Sequence, residues 1–127
     1  MDLKLTKESF GQDDQSWLAS AEGTDRCRSI TLDLSTFTAN THYPNGYLKS
    51  GFGLTKLGSG LYGLWTAPSG EDAADVVAGH LFTAVKVPSG ATKVAGALLW
   101  HGAVYAAKLP AAVSAAGQAT NSLIAYF

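Results

Sequence analysis

Glycine and proline interrupt this chain at short intervals, and the apolar residues between them recur with the period of a β-strand. In residues 29–35, Ile30, Leu32 and Leu34 alternate with Thr31, Asp33 and Ser35, the pattern of a strand with one buried face. Pro44 then presets a turn that Asn45-Gly46 can complete. Residues 47–57 read as a strand broken by Gly51 and Gly53, residues 58–60 as a turn, and residues 61–65 as a short apolar strand. Pro68-Ser69-Gly70 and Pro88-Ser89-Gly90 are matching turn signals on either side of a strand at 81–87, where Leu81, Val85 and Val87 share a face. Residues 71–78 have room for one helical turn before Gly79. Strands at 94–100 and 103–105 flank His101-Gly102, read as a kink or a hairpin turn. Pro110 suits the first turn of a short helix that Gly117 would end, and residues 121–127 close the chain as a strand. The expected fold is therefore mostly β: a small barrel or sandwich-like domain with one or two short helices and an extended N-terminal arm.

The 127 residues fit one such domain, and 46% hydrophobic content is enough to give it a core. Charge divides the chain near Cys27. Asp2, Lys4, Lys7, Glu8, Asp13, Asp14, Glu22, Asp25, Arg26 and Arg28 make 10 of the 19 charged residues, leaving 9 for residues 29–127. Against the usual quarter or so of charged positions, that body is sparsely charged for a freely soluble monomer. It is expected either to hide surface in an assembly or to rely on Ser, Thr and Gly for solubility. A net charge of −1 favours neither nucleic acid nor an anionic membrane.

A division into an arm, residues 1–28, and a β-rich domain, residues 29–127, follows. The apolar residues of the arm, Leu3, Leu5, Phe10, Trp17 and Leu18, keep no sustained period, so the arm is not expected to fold by itself. Leaving Phe10 and Trp17 in water is costly. They either dock on the body or serve as anchors when the arm orders on a partner. A single cysteine excludes an intrachain disulfide, and the opening residues lack the basic-then-apolar pattern of a signal peptide. The weakly polar stretch at 94–107 is too short to span about 30 Å of hydrocarbon.

Signs of chemistry are sparse. His42, His80 and His101 are isolated from one another and from Cys27, so no zinc-ligand spacing exists and no metal site is expected. Cys27 stands between Arg26 and Arg28, which could lower a thiol pKa, but no base or oxyanion site accompanies it. Glu71, Asp72 and Asp75 lie within one local turn, whereas a glycosidase needs two carboxylates facing across a cleft. Residues 58–63 match GxGxxG in letters, but Leu64-Trp65-Thr66-Ala67-Pro68 cannot open the helix whose N-terminus would hold a pyrophosphate. No catalytic residue and no cofactor are expected. Trp65, Trp100, Tyr43, Tyr47, Tyr62 and Tyr105 fit core or interface positions, or else an exposed row that stacks on sugar rings.

Residues 29–127 resemble the lambda-type head decoration, or capsid-stabilising, proteins of bacteriophages. The resemblance rests on SITLDLSTFTANTHYPNGYLKSG and GHLFTAVKVPSGATKVAGALLWHGAVYAAKLP. Within these lie the Ser50-Gly51 pair after a strand, the His101-Gly102-Ala103-Val104 stretch, and Leu109-Pro110. It implies a non-enzymatic protein that trimerises on the outer surface of the major capsid protein shell of a tailed bacteriophage and holds its subunits together. Contact through the arm would then involve Leu3, Leu5, Phe10, Trp17 and Leu18. It further implies location in the virion, after assembly in the host cytoplasm. A carbohydrate-binding or adhesion module is the alternative.

Overall fold

The computed structural model describes residues 14–68 and 74–127. Its strands in chain order are β1 (Arg28–Asp33), β2 (Tyr47–Leu48), β3 (Gly53–Lys56), β4 (Tyr62–Leu64), β5 (Gly79–Leu81), β6 (Val85–Lys86), β7 (Lys93–Leu99), β8 (Gly102–Val104) and β9 (Ile124–Tyr126). Two single-turn helices, α1 (Ala39–His42) and α2 (Ala115–Gln118), complete it with 3-10 turns at Leu34–Thr36 and Ala106–Lys108. Five strands close a barrel in the order β1-β4-β3-β5-β7, with β7 pairing back onto β1. Separate two-stranded ribbons are made by β2 with β6 and by β8 with β9. The mostly-β expectation holds, with short helices as foreseen.

The alternation read from the sequence is realised in β1, where Ile30 and Leu32 are buried and Ser29 and Thr31 are exposed. Its antiparallel register with β7 runs from Arg28 opposite Leu98 to Asp33 opposite Lys93. Asp33 ends the strand, because its carboxylate accepts from the Ser35 amide at 3.0 Å and the Ser35 hydroxyl at 2.7 Å. Those two bonds start the 3-10 turn and hold the Asp33 carboxyl below its ordinary pKa. That turn lies against β4. A Cβ on Gly63 would stand 2.7 Å from the Thr36 methyl, and the Thr36 hydroxyl accepts from the Leu64 amide at 3.0 Å. Only glycine admits this approach, which brings β4 parallel to β1 and closes the barrel.

Successive residues of one strand point to opposite sides, so β5 and β7 serve two cores at once. Leu81 and Leu98 join the barrel interior with Ile30, Leu32, Phe37, Leu48, Phe52 and Leu54. The neighbouring Leu99 instead packs outside the barrel against Trp17, Val104 and Ile124. A third cluster joins Trp65, Val77 and Val113.

Several elements depart from the local reading. The expected strand at 81–87 splits into β5 and β6, because the chain leaves the barrel to pair Val85 with Leu48 and Lys86 with Tyr47. His101-Gly102 is a kink between sheets and not a hairpin turn: β7 stays in the barrel while β8 runs parallel to β9. The short helix begins after Pro110, at Ala115, where the Ser114 hydroxyl caps it, and Gly117 lies inside it with the Trp65 ring against its Cα. Helix α1 precedes the turn at 44–46, in a stretch where the sequence indicated no element, and the turn itself forms, with the Gly46 amide donating to the Tyr43 carbonyl at 3.0 Å. Residues 74–78 are not helical, and the rest of that proposed turn, like Ser69-Gly70 of the first turn signal, lies outside the described residues. The second signal is a turn, with the Ala91 amide donating to the Pro88 carbonyl at 3.0 Å.

Candidate interaction surface

Residues 14–28 are docked on the body. The Leu18 position bridges Val104 antiparallel, the Ala19 amide donates to the Ala103 carbonyl at 3.0 Å, and the Tyr105 amide donates to the Trp17 carbonyl at 2.7 Å. This leader thus covers one side of β8 while β9 covers the other. Trp17 is 1% exposed, and its indole N–H donates to the Ser50 hydroxyl at 3.0 Å. Trp17 is therefore a core residue, the docked one of the two places expected for it. Its large apolar face packs in the second core and its one donor is satisfied. Leu18 is half-buried beside the same cluster. Leu3, Leu5 and Phe10 lie outside the described residues.

His80 is fully buried at the centre of this junction. Its Nδ1 lies 2.9 Å from the Gly51 carbonyl and its Nε2 lies 2.7 Å from the Tyr126 hydroxyl. A carbonyl only accepts, so Nδ1 carries the proton and Nε2 accepts from the phenol. Burial pushes the imidazole down to about 4, opposed by the Gly51 bond. Burial also pushes the Tyr126 phenol up to about 12. His42, by contrast, has a local role, accepting at Nδ1 from the Thr38 amide at 2.8 Å. The ring of His101 packs edge-on to Trp100.

Among the described residues, the remaining reactive groups do not converge. The Cys27 thiol is raised by burial and then by Asp25, and its Sγ lies 3.6 Å from the Thr24 carbonyl. Arg26 meets Asp25 at 3.6 Å and Arg28 lies 5.5 Å from the Trp100 ring centroid. Residues 58–63 form the β3–β4 hairpin, with Gly60 at φ +92°, so the GxGxxG letters hold no helix. Glu71 and Asp72 lie outside the described residues, and Asp75 contributes its carbonyl to the Trp65 indole N–H at 2.8 Å. Among the described residues, no three His, Cys, Asp or Glu side chains gather to hold a metal, and no helix is long and apolar enough to cross a membrane.

What the surface does carry is apolar. A groove of about 450 Å³ runs between residues 76–78 and 120–123, with Arg28, Tyr62 and Trp100 along it. Val76 and Leu123 stand on it at 61% and 58% exposure. They are held there by the backbone of Val77, whose amide donates to the Thr120 hydroxyl and whose carbonyl accepts from the Asn121 amide group, both at 2.8 Å. The side chain of Val77 is fully buried, whereas that of Val76 faces solvent. A second apolar group, Tyr105 and Phe127, has its ring centroids 6.4 Å apart where the leader enters, with Lys108 over the Tyr105 ring. The Val-Val and Leu-Ile dipeptides at 76–77 and 123–124 were the available signals for this surface, but only tertiary pairing shows which member faces out.

Compared with known proteins, the chain matches no family model, no curated protein and no solved structure.

Proposed function

We propose that this chain is a structural, non-catalytic decoration protein of a bacteriophage head. It would bind the outer surface of the major capsid protein shell as a homotrimer and stabilise it. The observation that supports this most is the pairing of a sparsely charged β body with Val76 and Leu123 held in solvent across a groove. Apolar groups kept exposed by satisfied backbone bonds favour burial among neighbours. Multivalent attachment then allows modest patches to suffice, since linking sites raises avidity by roughly 10²–10⁴. Sequence resemblance to lambda-type decoration proteins supplies the partner. Cross-bridging would oppose outward pressure by slowing subunit separation.

The test is direct. Purified protein, added to expanded heads built from the cognate capsid protein, should co-sediment with them and raise their survival on heating; equal survival with and without it overturns the reading.

The carbohydrate-binding alternative has a smaller platform than its six aromatic residues suggested. Trp65 is buried, which leaves Trp100 and Tyr62, both lining the groove, as ring-bearing residues there for a sugar face. Saturable binding on a glycan array, lost on Trp100→Ala, would favour that alternative.

A further inference from the structure

We propose that His80 is an acid-release latch: taking up a proton at its buried ring frees the leader and the β8–β9 ribbon from the barrel wall while the barrel stays folded. The geometry is that of a junction between two cores. His80 belongs to barrel strand β5 but faces the outer cluster, opposite Leu99 of β7. Its ring lies 5.8 Å from that of Trp17 in the leader and 5.7 Å from that of Tyr126 in β9. One imidazole therefore touches both outer segments and, through the Gly51 carbonyl, the loop whose Ser50 holds the Trp17 indole. Gly51 is at φ +105°, and a Cβ there would stand 3.0 Å from the Trp17 ring, so this loop and the leader are closely fitted.

A second proton on the imidazole would turn Nε2 from acceptor into donor, reversing the Tyr126 bond and leaving a charge in an apolar junction. Among the described residues, the groups around the ring give that charge no counter-ion. On β9 the one titratable neighbour is the Tyr126 phenol, the 50–52 loop presents Ser50 and Gly51, and β3 and β7 present Gly53 and Leu99. On the leader, Asp14 is exposed and engaged with Ser16, with Lys49 and Lys108 as the cations acting on it. Opening removes the penalty by admitting water.

The sign follows from the imidazole's two environments. The latched form holds His80 neutral down to about pH 4, whereas an opened, hydrated histidine titrates near 6.5. Protons therefore favour opening as pH falls from 6.5 to 4, and the latched form is most populated above 6.5. Between pH 7.5 and 5 the open-to-latched ratio should rise on the order of 30-fold. This inference is independent of any shell.

Amide hydrogen exchange on the full chain, corrected for intrinsic rates, tests it. Protection at Val104, Tyr105 and Ala125 should fall about 30-fold between pH 7.5 and 5, and Ile30 and Leu32 should stay better protected at both pH values. His80→Asn, which keeps a donor for Gly51 but cannot take the second proton, should lose the pH dependence. The wild-type protein decides the matter even if that variant does not fold. A single shared protection factor for both sets, or no pH-dependent fall in the outer set, overturns the latch.

Discussion

Replacing Trp17 with alanine removes a ring packed against Leu99, Val104 and Ile124 and leaves the Ser50 hydroxyl without its donor. Loss of a fully buried tryptophan costs about 3–5 kcal/mol, so urea unfolding should show a drop of that size, although Trp17 precedes every strand. Cys27 gives a milder expectation. Its thiol is raised by partial burial and by Asp25, so at pH 7 it holds less thiolate than an unhindered cysteine. Iodoacetamide should modify it more slowly than a cysteine peptide at pH 7, and the rate should climb as pH rises through the alkaline range. A rate above the peptide's would contradict the geometry. The alternation of Ile30 and Leu32 was readable because it is local. The burial of Trp17 was not, since its partners come from residues 50, 80, 99, 104 and 124.

At the scale of elements, the leader has two parts with different consequences. Removing residues 1–20 deletes Trp17, whereas removing residues 1–13 spares it. The longer truncation should therefore be less stable than the shorter by the same roughly 3–5 kcal/mol, as thermal or denaturant melts of the two proteins would show. Shell binding is best compared on the shorter truncation, where a loss cannot come from the missing core ring. The segment at 74–78 is ordered by side chains from the α2–β9 connection. Asn121→Ala would leave the Val77 carbonyl without its donor, at a cost of about 1–3 kcal/mol. Exchange at the Val77 amide should quicken while the β1 amides hold. Helix α1 and the break between β5 and β6 were illegible locally for the same reason. Apolar runs show that strands exist, while the choice of pairing partner lies elsewhere in the chain.

For the whole molecule, the groove is the feature on which assembly would act. Val76→Asp and Leu123→Asp place charge on side chains already in solvent, so each should leave the melting temperature within a few degrees. If the groove is covered by neighbouring subunits, co-sedimentation with expanded heads should fall at least tenfold; unchanged binding would remove the groove from the interface. By itself the sequence determined that this chain is a small, mostly-β body with short elements and a divided charge, because periodicity and punctuation by glycine and proline act between near neighbours. Only the tertiary structure decided that five strands close on themselves, that Gly63 makes room for the closure, and that His80 and Trp17 meet. Those outcomes depend on contacts between residues far apart in the chain, whose energy exists only once the backbone has brought them together.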